Sequence, residues 1–450
     1  MIEKKDRKVS RRDFLRVAAA TTAGSVLVAC APKATEAPKP TEAPSTGGAA
    51  PSAAGEKSVR LGVWASPEEF NFFQEWVKPY QESSGTKVNI EYVDWTTYWT
   101  KLPTQFSAGT AADVLEMSNF TLQFGPQNVL ADLNSFFDTS GLKKDDFVAV
   151  PFEKFTYEGK LISFPLGLTI QMLAYNKDIF DKAGEPYPDN TWDWAKMREV
   201  AMKFTKDKNG KGPADADFDV ANVTQWGIEM QLDEESGWAP LVFQNEADYW
   251  KDNYTTANFT DPKVVEAFQF LTDLINVDKC APSPAAQQKF SGSAFQAGQA
   301  AMSRQGTYML LTYITNIKSF KWDVAVPPKG KTRGVFADGI GWSMSNGTKI
   351  KDDAFALIKW LNTDGQKYMA EKHWQVPILK SAYEFFASPP PDHAKDLKEQ
   401  FDYGHRWPAY KNQQQVDDFI GQKTTEIFDG KAKPADALKE IQDYVDPLVK

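Results

Sequence analysis

Between residues 58 and 117 the sequence alternates strand, helix, strand, helix and strand, which predicts an α/β fold built on an open sheet. Two further observations bound that fold. The stretch from Ser58 to Lys450 is longer than one comfortable hydrophobic core, so two domains are expected. No tandem repeat of about 20–50 residues is present, which argues against a solenoid or propeller.

The elements follow in order. Val59, Leu61 and Val63 alternate as a strand that ends at Trp64. Ser66-Pro67-Glu68-Glu69 then reads as a helix start, with Ser66 as N-cap, Pro67 as first helical residue and Glu69 closing a capping box. Phe70, Phe73, Val77 and Tyr80 recur at helical spacing, and Gly85 stops the helix. Val88, Ile90 and Tyr92 form a second strand, Trp95 to Phe106 a helix, and Asp113 to Met117 a third strand. Later, a helix opens at Thr191-Trp192 and a turn follows at Asn209-Gly210. Asp261-Pro262 opens a helix with Val264, Phe268, Leu271 and Ile275 on one face. Ala300 to Met302, Trp322 to Pro327 and Gly339 to Met344 read as strands, and Ala354, Leu357, Ile358 and Leu361 mark one more helix. In open α/β sheets ligands bind beyond the C-terminal strand ends.

The first residues carry an address. Ser10-Arg11-Arg12-Asp13-Phe14-Leu15 leads into a short apolar run that ends in Leu27-Val28-Ala29-Cys30. The twin arginines resemble a Tat export signal, and Leu-Val-Ala-Cys resembles a lipobox whose cysteine is acylated. The run is about half the length needed to span a bilayer. Residues 1–29 are therefore expected to be a signal peptide. Residues 30–57 are expected to be a lipidated Cys30 followed by a disordered linker, because 31–57 lack any aromatic, Leu, Ile or Val. Extended, such a linker reaches ~80 Å at most.

Composition closes off other classes. Residues 1–29 hold seven Lys/Arg against three Asp/Glu, so a chain beginning at Cys30 carries −13 rather than −9. That charge argues against nucleic acid as a partner. With Cys30 acylated, Cys280 is left alone and reads as a small buried residue. The only histidines are His373, His393 and His405, and no zinc spacing, P-loop or nucleophile elbow occurs. Asp207-Lys208-Asn209-Gly210-Lys211-Gly212 lacks a full calcium-loop series and reads as a turn. No catalytic residue, cofactor or metal is expected. Glu229, Asp233, Glu234 and Glu235 read as a solvated acidic stretch, and Arg304 and Arg406 as surface or ion-paired residues.

Several strings then occur in a telling order: Phe164-Pro165-Leu166, Leu173-Ala174-Tyr175-Asn176-Lys177, Phe180 to Gly184, Asn190-Thr191-Trp192-Asp193, Phe295 to Met302, and Gly339-Ile340-Gly341-Trp342. Together, behind a lipobox, they resemble the family-1 extracellular solute-binding proteins of ABC transporters, the group that includes maltose-binding protein. The resemblance implies a two-lobed periplasmic-binding-protein type II fold with hinge crossovers. One lobe would comprise residues 58–167 plus 334–375, the other 168–333 plus 376–450. It implies a lipid-anchored, monomeric receptor outside the cytoplasmic membrane. This receptor would bind a mono- or oligosaccharide and deliver it to permease subunits served by a separate ATPase. The alternative is a non-sugar solute such as a polyol phosphate, polyamine or peptide. An anion would want cleft Arg or Lys, and a polyamine would want cleft carboxylates beside aromatics.

By motif position the resemblance places Trp64, Ser66, Glu68, Ser118, Asn119 and Phe120 on the first lobe's side of the cleft. Thr169 and Gln171 fall just past the first crossover. Trp238 and Tyr308 fall on the second lobe, and Trp342 and Trp407 are further aromatics of the cleft. With 14 Trp, 15 Tyr and 30 Phe, the chain is rich in rings able to pack on the C–H face of a pyranose. Thr169 stands where maltodextrin binders have an acidic residue, so maltose in particular is not implied.

Overall fold

The computed structural model describes residues 57–450 apart from 291, 409 and 411. The twin arginines, Cys30 and the linker up to residue 56 lie outside the described residues. Eleven strands build two sheets: β1 (Ser58–Trp64), β2 (Lys87–Val93), β3 (Val114–Met117), β4 (Phe164–Thr169), β5 (Gln171–Asn176), β6 (Lys206–Asp207), β7 (Val223–Met230), β8 (Ala300–Gly306), β9 (Trp322–Ala325), β10 (Asp338–Met344) and β11 (Val376–Pro377). The first sheet runs β11-β4-β10-β3-β1-β2 and the second β9-β5-β8-β7-β6.

The sequence signals account for the first lobe. β1 lies parallel to β2 along its whole length and parallel to β3. The helix between β1 and β2, Pro67–Ser84, has Ser66 as N-cap. The Glu69 N–H donates to Ser66 Oγ at 3.2 Å and the Ser66 N–H to Glu69 Oε2 at 2.8 Å, the reciprocal pair of a capping box. Gly85, at φ 69°, ends the helix in the left-handed conformation that glycine adopts without strain. The helix lays Phe72, Phe73, Trp76 and Tyr80 on the sheet, where Trp76 meets Trp342 of β10 at 6.2 Å between ring centres. β10 pairs antiparallel with both β3 and β4, so the sheet is mixed.

The chain leaves the first sheet at Thr169 and enters the second at Gln171, with only Ile170 between them. It returns through 326–337 and crosses again after β11. The last two helices, Gln413–Phe428 and Pro434–Val449, pack with Pro262–Asn276 in the second-lobe core. β4 reaches Thr169 and β11 pairs with it, so residues 168–169 and 376–377 belong to the first sheet. Phe336 lies in the second-lobe core.

Three elements differ from expectation. The helix expected at Thr191-Trp192 begins at Trp194, because Asp193 takes the cap and accepts the Lys196 N–H at 2.8 Å. The strand expected over Ala300–Met302 continues to Gly306, since β5 and β7 flank it and hide its polar residues. Arg304, expected on the surface or in an ion pair, is 1% exposed, and its Nη1 donates to the Ser236 and Gly237 carbonyls at 2.7 and 3.0 Å.

Gly227 of β7 lies hard against the helix Trp194–Phe204. A Cβ there would sit 1.8 Å from the Ala201 carbonyl oxygen, a backbone atom that cannot rotate away. Gly227→Ala is therefore expected to lower unfolding stability by roughly 1–3 kcal/mol or more. The check is the midpoint of urea unfolding, which should fall with the slope unchanged; an unshifted midpoint would contradict this packing.

Candidate ligand-binding cleft

The first-lobe wall is aromatic because two strand ends and one helix start meet there. Asp94 follows β2 and caps the helix Trp95–Ala108, accepting the Thr97 N–H at 3.0 Å, and these bonds hold its carboxyl below the ordinary range. The cap fixes Trp95 as the first helical residue, and Trp99 follows one turn later on the same face. Trp64, at the end of β1, has its ring 4.9 Å from Trp95 and 5.6 Å from Trp99. Phe120, after β3, meets Trp99 at 5.0 Å. Trp95 stays 41% exposed.

The opposite wall comes from the second lobe and the C-terminal segment. A cavity of about 570 Å³ separates Trp95, Trp99 and Phe120 from Gln414 and Asp418. A smaller one of about 210 Å³ joins Asn119 and Lys154 to Tyr254, Arg406 and Trp407. A third, about 640 Å³, lies between Leu122 and Tyr157 on one side and Tyr410 and Gln413 on the other. Each is lined from both lobes, so together they mark the interlobe cleft. Arg406 is braced within it: Nε donates to the Tyr254 hydroxyl at 2.9 Å and Nη2 to Asn253 Oδ1 at 2.7 Å. Asp252, Asn253 and Tyr254 all have φ between 51° and 68°, a run of left-handed residues that non-glycine chains adopt at a cost.

Several groups along this cleft are buried without a hydrogen-bond partner. Among them are Asn119 Oδ1, Trp99 Nε1 and Trp407 Nε1. Each such group costs about 1–3 kcal/mol when left unmet, so a solute that supplies partners recovers that energy.

The expected site residues divide. Trp64, Asn119, Phe120 and Trp407 come together around the cleft. Ser66 serves the capping box, with Glu68 exposed beside it. Ser118 is buried, and its carbonyl accepts from Thr121. Thr169 donates to Gln375 Oε1 at 3.3 Å, and Gln171 is held at the crossover by Gln400. Tyr308 is half-buried, its hydroxyl 3.4 Å from Ser236 Oγ, and burial with Asp233 and Glu235 nearby pushes that hydroxyl up. Two of the expected residues lie in the core instead. Trp238 is 1% exposed among Tyr249, Phe259 and Phe268 in the second-lobe core, so no ring face is left for a ligand. Trp342 is fully buried against Phe73 and Trp76 in the first-lobe core. Trp95, Trp99, Gln414 and Asp418 were not anticipated. The signal for the first two was present, as two tryptophans four apart at a helix start directly after a strand.

The acidic stretch from Glu229 to Glu235 is also not simply solvated. Glu229 is buried and accepts the Ala294 and Phe295 N–H groups at 3.0 and 3.1 Å. Glu234 accepts the Tyr249 hydroxyl at 2.6 Å, and burial followed by the nearby Asp417 pushes its carboxyl well up. Asp417, on the helix Gln413–Phe428, accepts the Tyr410 hydroxyl; burial and then Asp418 push it up to about 7.

An unfolded aspartate titrates near about 4. Between there and about 7 the folded chain keeps protons that the unfolded chain releases, so stability falls as pH rises through that window. Glu234 adds in the same direction. Asp417→Asn is expected to reduce the slope without abolishing it. Urea midpoints measured from pH 4 to 8 test this, and an unchanged slope would refute it.

Comparison with known proteins matches this architecture. Residues 75–401 fit the family model described as bacterial extracellular solute-binding protein. A solved Listeria monocytogenes ABC substrate-binding protein, Lmo0181, in complex with cycloalternan, is similar at 25% identity and a TM-score of 0.77, covering 87% of this chain and 98% of that one. The maltose-bound MalE3 of T. maritima is similar in fold, at 21% identity and a TM-score of 0.72, covering 87% and 99%. The sn-glycerol-3-phosphate-binding periplasmic protein UgpB of Salmonella paratyphi A is 24% identical over 301 residues, 62% of this chain and 64% of that one. Two mixed sheets joined through Ile170, a cleft lined from both sides, and a family match over most of the chain place this protein among the bacterial extracellular solute-binding proteins of ABC transporters.

Proposed function

We propose that the chain binds a mono- or oligosaccharide between its lobes and hands it to an ABC permease without altering it. The observation that carries this reading is the wall of Trp64, Trp95, Trp99 and Phe120 facing Gln414 and Asp418 across a cavity of about 570 Å³. Aromatic faces take the C–H side of a sugar ring, and the unmet Trp99, Asn119 and Trp407 groups take its hydroxyls. Cys280 offers no chemistry: it is fully buried, its Sγ directed to the Leu274 carbonyl, and its thiol is pushed up to about 12. The lobes act as two bodies about the crossovers at 165–169, 330–334 and 374–377, and ligand drives closure by touching both. A second reading, a polyol phosphate, is favoured by one observation: Lys154 and the braced Arg406 share the smaller cavity. We further propose that the receptor is a monomer, exported through the Tat-type signal and held by a lipidated Cys30.

A carbohydrate panel followed by thermal shift and calorimetry should find a ligand that stabilises the folded chain. Trp95→Ala is expected to weaken it about five- to tenfold while leaving the unliganded Tm little changed. Unaltered affinity would remove Trp95 from the site. Binding of glycerol phosphate in place of every sugar, lost in Arg406→Gln, would establish the second reading instead. Small-angle scattering should show compaction at saturating ligand.

Anchoring is tested separately. Cys30→Ala should release a folded chain from the membrane fraction, and wash-resistant association of that variant would contradict a lipid anchor. A single acyl chain binds only marginally, so stable attachment needs more than one.

A further inference from the structure

The cavity of about 570 Å³ behind Trp95 holds one feature that a neutral sugar leaves unused. Asp418 is the one charged residue among those lining it; the others are Trp95, Trp99, Phe120, Pro103, two threonines and Gln414. Its carboxylate is exposed, accepts the Gln414 amide at 2.9 Å and forms no ion pair among the described residues. Among the described residues no Lys or Arg stands over Trp95, Trp99 or Phe120; the cation–ring contacts lie elsewhere. Trp99 Nε1, on a side chain more than nine-tenths buried, is a donor with no acceptor.

These groups select a ligand by charge as well as shape. When the lobes close on a neutral sugar, Asp418 loses water without gaining a counter-charge. An ammonium group in the same place meets the carboxylate on one side and the electron-rich ring faces on the other. An adjacent hydroxyl or ring oxygen accepts from Trp99 Nε1. We propose that the ligand is an amine-bearing carbohydrate, its ammonium held between the Trp95–Trp99–Phe120 wall and the Asp418 carboxylate. This deepens, and rests on, the carbohydrate reading of the same cleft. The cation bridges a first-lobe wall to a C-terminal helix, so its binding contributes directly to closure.

The test uses matched probes on the full chain by calorimetry: glucose, glucosamine and N-acetylglucosamine, their galactose and mannose counterparts, and the corresponding β-1,4-linked disaccharides. The free amines are expected to bind about five- to tenfold tighter than the hydroxyl and acetylated forms. Raising salt should narrow that ratio, and Asp418→Asn should bring it close to one. Neutral members binding as well as the amines would overturn the proposal and leave the carbohydrate reading standing. An amine preference that survives in Asp418→Asn would also overturn it. No binding by any member would overturn the proposal, while the wider carbohydrate panel decides the carbohydrate reading.

Discussion

The cleft depends on how one residue is fastened. Ile170 is the whole connection between β4 and β5, and buried backbone there must find partners outside a regular ladder. Its N–H donates to Thr307 Oγ1 at 3.2 Å and its carbonyl accepts the Thr307 N–H at 2.8 Å. At the next residue the Gln400 side-chain amide does what a neighbouring strand would do. It accepts the Gln171 N–H at 3.0 Å and donates to the Gln171 carbonyl at 2.7 Å. Gly306, at the end of β8, leaves room for the Tyr308 ring, which a Cβ there would meet at 2.2 Å. Thr307 follows β8 and Gln400 lies in the C-terminal segment, so the crossover is secured from the far side of the first sheet. On the near side Thr169 has the longer contact with Gln375. This joint is one of the three crossovers that connect the two cleft walls.

Buried polar groups sort by whether the fold satisfies them. Asp323 is fully buried, yet it accepts the Val324 and His393 N–H groups and lies 2.7 Å from His393 Nδ1. Glu229 is likewise met by backbone groups of neighbouring segments, and Arg304 is met at Nη1 while its Nη2 has no partner. Such groups fix segments in place and have little left to offer a solute. Asn119, Trp99 and Trp407 differ, because their polar atoms are buried and unmet beside cavities.

Local signals in the sequence carried much of the fold and only part of the site. Ser66 with Glu69, Gly85, and Asp261-Pro262 are short-range devices, and each acts where its spacing placed it. The polar end of β8 was not legible, because Ser303, Arg304 and Gln305 look like a loop until β5 and β7 enclose them. Phe120, Asn119 and Trp407 could be placed because they follow strand ends or a late motif. Gln414 and Asp418 could not, since only the docking of the last helices brings them opposite Trp95, more than 300 positions away in the chain.

The tryptophans show why composition alone misassigns a site. Trp76, Trp238 and Trp342 are as aromatic as Trp95, but each faces inward from the middle of an element and is enclosed by other rings. Trp95 is set differently. It opens a helix whose cap, Asp94, follows a strand without a loop, so its ring must stand at the sheet's end where no further layer covers it. Burying that ring in the core would require moving the cap, and with it the helix that carries Tyr98, Trp99 and Leu102 into the first-lobe packing. The exposure of Trp95 is therefore imposed by the packing behind it, which makes the aromatic wall a rigid face of the first lobe against which the second lobe and its ligand are fitted.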